Sequence, residues 1–178
     1  MDTPAVVIGS VACLIAVITD LAWRRVPNWL TIPLVVVALV TAGVEHGWRG
    51  FAAALLVACA ALAAGFFPYA MGLLGAGDVK LFAGVAALAG YPATLDLALF
   101  TGVAGGVLAA IIAVSRGELR AIVTRLFARF KTSLVTGGLA TAIAEKSSAR
   151  LPYALAIGAG FAAVAAGNSI APLLRIVQ

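Results

Sequence analysis

Gly72-Leu73-Leu74-Gly75-Ala76-Gly77-Asp78-Val79-Lys80-Leu81 interrupts an otherwise apolar chain. Apolar sequence leads up to it from Phe51 to Met71 and away from it from Leu81 to Tyr91. Glycines let a backbone bend tightly and approach another segment closely, because no Cβ stands in the way. The acid and the base that follow them are two residues apart. A carboxylate at or near lipid depth is costly, so it normally faces a protein or water-filled interior and marks function. The stretch reads as a bend that delivers an acid to the start of a membrane helix. Such an acid needs a partner, to be sought elsewhere in the chain.

The whole composition agrees with a membrane setting. Of 178 residues, 63% are hydrophobic and 11% charged, and the mean hydropathy is +1.13. A soluble domain carries about a quarter charged residues and about half apolar ones. The sequence therefore predicts a polytopic all-α membrane protein, with residues 1–178 forming a single membrane-embedded domain. Spans of roughly 20 residues suit the hydrocarbon thickness. Six apolar segments can be marked, at about residues 4–20, 29–45, 50–71, 79–91, 93–115 and 151–174. The first follows Met1-Asp2-Thr3 without a basic leader and reads as a retained span. The fourth has room for only about 20 Å of helix, less than the roughly 30 Å hydrocarbon core.

Charge assigns the sides. The net charge is +5, and basic residues collect in loops that stay cytoplasmic. With both termini outside, Arg24, Arg25, Lys80 and the basic residues from Arg116 to Arg150 all fall inside, ten of the twelve Lys and Arg. Only Arg49 and Arg175 fall outside. The opposite orientation would put ten on the wrong side, so the expected protein is a multi-pass inner-membrane protein with Asp20 and Asp78 at the cytoplasmic face. In the inner-side loop 115–150, Leu119, Ile122, Val123, Leu126, Phe127 and Phe130 recur at helical spacing, opposed by Arg116, Arg120, Arg125, Arg129 and Lys131. That pattern predicts a basic amphipathic helix between the fifth and sixth spans, lying on an anionic inner leaflet. Phe127 and Phe130 belong to the apolar side, which leaves nothing aromatic among the bases for stacking, so no nucleic-acid partner is expected.

Few polar residues remain to carry chemistry. Cys13 and Cys59 sit alone in apolar runs, and there is no CxxC or Cys/His cluster, so neither a metal nor any other cofactor is expected. His46 lies in the outer loop beside Glu45, away from the acids, which leaves no Ser-His-Asp set. Asp96 is expected near water at the outer end of the fifth span. Two carboxylates remain at one membrane depth, Asp20 and Asp78. Two aspartates held close cannot both ionise, so one stays an acid while the other is a base. Such a pair can activate water and protonate a leaving amine. Structural roles are open to both: Asp78 could cap the fourth helix, and Asp20 could end the first span or pair with Arg24, four residues on. Glycine-interrupted helices with intramembrane acids also suit a small ion or solute transporter, and a non-catalytic assembly scaffold would use the acids only as caps.

Asp20-Leu21-Ala22-Trp23-Arg24-Arg25-Val26-Pro27-Asn28-Trp29-Leu30-Thr31 resembles the first signature of the type IV prepilin peptidases, an Asp followed at seven residues by Pro-Asn-x-Leu-Thr. Gly75-Ala76-Gly77-Asp78-Val79-Lys80 is similar to their second, GxGDxK, which groups them with the GxGD intramembrane aspartyl proteases. Leu151-Pro152-Tyr153-Ala154 resembles a weaker third pattern, usually Pro-Tyr-Gly, from which Ala154 departs. The resemblance implies an aspartic endopeptidase that removes the short basic leader of a prepilin at the cytoplasmic membrane face, cutting after a glycine. It implies Asp20 and Asp78 as the catalytic dyad. Gly75 and Gly77 would be backbone-permissive positions; Pro27, Asn28 and Lys80 match signature positions without an assigned role. Longer bacterial members carry an N-terminal region with paired CxxC motifs and N-methylate the new pilin terminus. This sequence resembles instead the short, peptidase-only branch of Flp (Tad-type) pilus systems, so a Flp-type prepilin is the implied substrate and methyl transfer is not expected.

Overall fold

In the computed structural model, residues 3–115 and 152–167 are described, and they contain five helices and no strand. These are α1 (Thr3–Trp23), α2 (Asn28–Ala70), α3 (Ala76–Ala89), α4 (Ala93–Ser115) and α5 (Tyr153–Ala165). The predicted amphipathic helix between the fifth and sixth spans lies outside the described residues.

The 43-residue α2 is two helical limbs. Gly47 breaks it with φ 64° and ψ −157°, a backbone region that is essentially reserved for glycine. The direction of the break follows from the ends. Asn28 hydrogen-bonds Lys80, while Gly65 packs against Val79. A straight helix would hold residues 28 and 65 about 55 Å apart, so the chain must turn back. The limbs 28–46 and 48–70 are the expected second and third segments, each about as long as a bilayer crossing requires.

Short α3 is the central element. Leu81, Ala83, Val85 and Ala86 are fully buried in it, and every residue from Ala83 to Leu88 is buried, which covers all sides of the helix there. A helix apolar all round and covered all round is a core helix. Its 14 residues therefore need not match the bilayer, which accounts for the short fourth segment. Glycine C-caps it at Gly90, and Thr94 ties the next helix back by donating to the Ala86 and Gly90 carbonyls, each at 3.0 Å.

Cross-helix contacts fix the directions. Along α1 and α5, Gly9 meets Phe161, Cys13 and Val17 meet Gly158, and Asp20 meets Ala154, an antiparallel pair. Along α4 and α5, Thr101 meets Gly160 and Gly105 meets Tyr153, again antiparallel. The first limb of α2 runs beside α3, with Val26 on Gly77 and Leu34 on Gly84. One end of the bundle therefore gathers residues 20–28, the start of α3 and the start of α5.

Among the described residues, three helices are long and apolar enough to cross a membrane: Thr3–Trp23, the two-limbed Asn28–Ala70 and, in α4, Ala93–Ile112. The sixth segment, expected to run to 174, stops as a helix at Ala165, followed by Gly167 at φ 82°. At 13 residues, α5 reaches only about 20 Å. In α5 and at its C-cap, Ala162 and Ala166 are exposed, and Gly160 makes the close approach to α4.

Candidate active site

Asp20 lies one turn inside the end of α1 and is 7% exposed. The helix closes just beyond it, where the Arg24 N–H donates to the Asp20 carbonyl at 2.8 Å and Arg24 turns to φ 53°. This is the left-handed geometry of a helix C-terminus. The carboxylate does not go to Arg24. Its Oδ2 accepts the backbone N–H of Ala154 at 3.3 Å, from 134 positions away. Of the two structural roles open to Asp20, the Arg24 pair does not form, whereas the helix does close at its carbonyl.

Asp78 lies in the first turn of α3 and is 8% exposed. Gly75 is the N-cap residue, and the Asp78 carboxylate reaches back to accept its N–H at 3.0 Å. This is the acidic half of a capping box, and a negative charge there is favoured by the helix dipole. The capping role foreseen for Asp78 is thus real. It is not the whole environment, because Asp78 lies within electrostatic reach of the Tyr153 hydroxyl. Adjacent residues at the start of α5 thus relate to the two acids differently: Ala154 bonds to Asp20 through its amide, and Tyr153 lies within range of Asp78. The Tyr153 hydroxyl itself rests over Gly105 of α4. Neither residue had an assigned role in the sequence; the Pro152-Tyr153-Ala154 pattern was the signal that pointed to them.

The supporting residues sort by position. Pro27 caps α2, with its carbonyl accepting from Leu30 and Thr31 at 3.1 and 3.3 Å. Gly77 is inside α3 and Gly75 has an extended backbone, φ −81° and ψ 151°, which any residue can adopt. Their expected role as backbone-permissive positions becomes one of space. A Cβ on Gly77 would lie 2.6 Å from the Val26 carbonyl oxygen, and one on Gly75 would lie 2.9 Å from Asp78 Oδ2. The bend itself falls at Gly72, φ 70°, which closes α2 by donating to Tyr69 O at 2.9 Å. Lys80 and Asn28 are both exposed and bonded to each other, Nζ to Oδ1 at 2.9 Å. Asp96, expected near water, is only 8% exposed, in the first turn of α4. His46 stands 4.0 Å from Glu45 at the far end. Among the described residues no group of His, Cys, Asp and Glu is arranged to hold a metal ion.

Compared with known families, residues 7–110 match the type IV leader peptidase family. The chain belongs to that family. No curated protein and no solved structure matches it. As a member of the type IV leader peptidase family built from long apolar helices, it is an integral membrane protein of a peptidase family. The matched region contains both Asp20 and Asp78 and ends before α5. The element that bonds to Asp20 therefore lies beyond the part of the chain by which the leader peptidase family is recognised.

Proposed function

We infer that this chain is an aspartic endopeptidase that removes the leader of a Flp-type prepilin at the cytoplasmic face of the inner membrane, with Asp20 and Asp78 as the catalytic dyad. The observation that supports the reading is that two buried carboxylates, from helices far apart in sequence, stand at the same end of the bundle, Asp20 bonded to the first turn of α5 and Asp78 in the first turn of α3. Each accepts one backbone N–H, which holds its side chain in place before substrate arrives.

In this mechanism one aspartate is ionised and takes a proton from water as that water attacks the scissile carbonyl. The other, protonated, donates to the carbonyl oxygen, and a proton is then delivered to the leaving amine. Neighbouring carboxylates sharing one proton supply both functions at once. The cytoplasmic location rests on the ten inward Lys and Arg and on the positive-inside rule. A basic leader is drawn to the anionic leaflet on that side.

The test is incubation of the purified enzyme with a Flp-type prepilin, followed by mass measurement of the product. The expected product has lost its leader after a glycine and carries no added methyl group. Intact prepilin, or equal cleavage by Asp20→Asn and Asp78→Asn, would end the assignment.

A further inference from the structure

We propose that Lys80 and Asn28 form a positioning pair, a polar strap across the mouth of the site that sets where Asp78 stands relative to α2. The inference rests on the aspartyl peptidase reading for its effect on rate. Lys80 is two residues after Asp78, and two residues of helix turn the chain by roughly 200°. The carboxylate therefore points into the bundle, and the ammonium points out of it. Burial agrees: Asp78 is 8% exposed, whereas Lys80 is an exposed residue. Lys80 is thus badly placed to exchange protons with the acids and well placed to hold something outside them.

What it holds is Asn28, the first residue of α2, 52 positions away, through Nζ to Oδ1 at 2.9 Å. Just inside this bond the chains already touch, since the Val26 carbonyl sits against Gly77 where a Cβ would lie at 2.6 Å. The pair therefore closes a seam whose inner edge is backbone against backbone. Between the two edges lies the first turn of α3, which carries Asp78. Without the strap, the α3 N-terminus can slide along α2 while the hydrophobic packing behind it, such as Leu34 on Gly84, persists. Misplacement of a reacting group by about 1 Å is enough to lower a rate by as much as a hundredfold. An exposed hydrogen bond alters stability far less.

The test is a double-mutant cycle in purified full-length protein with Lys80→Met, Asn28→Ala and the double variant, plus Lys80→Arg as the conservative replacement. Each single change is expected to lower kcat on a prepilin about tenfold. KM and the pH–rate profile are expected to stay those of the parent. The double variant should be no slower than the slower single, and Lys80→Arg should recover most of the rate. A shifted pH profile in Lys80→Met but not in Asn28→Ala would overturn the proposal, because Lys80 would then act on the acids directly. Losses that multiply, or rates unchanged in both singles, would overturn it equally. Thermal midpoints of the same four proteins give a readout that needs no cleavage. Non-additive shifts are expected, and additive ones count against the strap even if the peptidase reading itself fails.

Discussion

Asp20 and Asp78 make different demands on their surroundings, and substitutions can separate them. If the two act as one unit, Asp20→Asn and Asp78→Asn should each lower prepilin cleavage by roughly a hundred- to ten-thousandfold. The double variant should be little worse than either single, as for residues whose contributions cannot be partitioned. Single-turnover rates of the three variants test this, and additive losses would show independent roles. The signature glycines offer a second contrast. At Gly75 an Ala fits the backbone but brings its Cβ to 2.9 Å from the Asp78 carboxylate. Gly75→Ala is expected to reduce cleavage with a melting temperature near the parent's. At Gly77 the obstacle is the Val26 backbone oxygen, 2.6 Å away, which cannot rotate aside as a side chain can. Gly77→Ala should therefore lose about 1–3 kcal/mol of stability as well as activity, in line with overpacking of a tight contact. Thermal melts read beside cleavage assays distinguish the two.

The helices show which parts of this architecture are written locally. Hydropathy alone marks α1, both limbs of α2, α3 and α4, because each is an apolar run bounded by Gly, Pro or charge. The reversal in α2 was legible as the gap between two segments, and its cause is a single residue. Gly47→Ala would force a side chain into φ 64°, ψ −157°, at a cost of about 1–3 kcal/mol. The expected result is a lower melting temperature with nearly normal cleavage by the folded fraction, since the turn is at the end away from the acids. Two features were not legible. The Ala154–Asp20 bond joins residues 134 positions apart, and no periodicity encodes a partner at that distance. Nor does hydropathy stop α5 at Ala165, because the apolar sequence continues past Gly167 while the backbone turns. The seat of α5 gives the matching prediction. A Cβ on Gly105 would stand 2.7 Å from the Tyr153 hydroxyl. Gly105→Ala is expected to push the first turn of α5 away from Asp20 and to lower cleavage, although residue 105 lies on another helix. Unchanged kcat in that variant would show that α5 is not needed to hold the dyad.

Taken whole, the molecule carries its own ruler for membrane depth. Trp23 and Trp29 flank the site end and are 70% and 64% exposed; Trp48, just past the Gly47 turn, is 79% exposed, and Tyr91 at the same far end is 78% exposed. Large aromatic side chains left this open in a membrane protein belong at the headgroup level. The spacing fits. From Trp29 to Trp48 one limb of α2 rises about 28 Å, close to the roughly 30 Å hydrocarbon core. Asp20 precedes Trp23 by less than one turn, so Asp20 lies within about 5 Å of that interfacial plane along the helix axis. For the proposed endopeptidase, a scissile bond at the edge of a prepilin's apolar segment and a water molecule can arrive there together. Fluorescence of single-tryptophan variants in vesicles with brominated lipids measures the depth. Trp23 and Trp29 are expected to be quenched best by bromines near the glycerol end of the acyl chain. Trp48 should behave likewise, and all three only weakly with bromines near the terminal methyl. Strongest quenching of Trp23 and Trp29 at the bilayer centre would place Asp20 in dry hydrocarbon, where water for hydrolysis could reach it only through a channel.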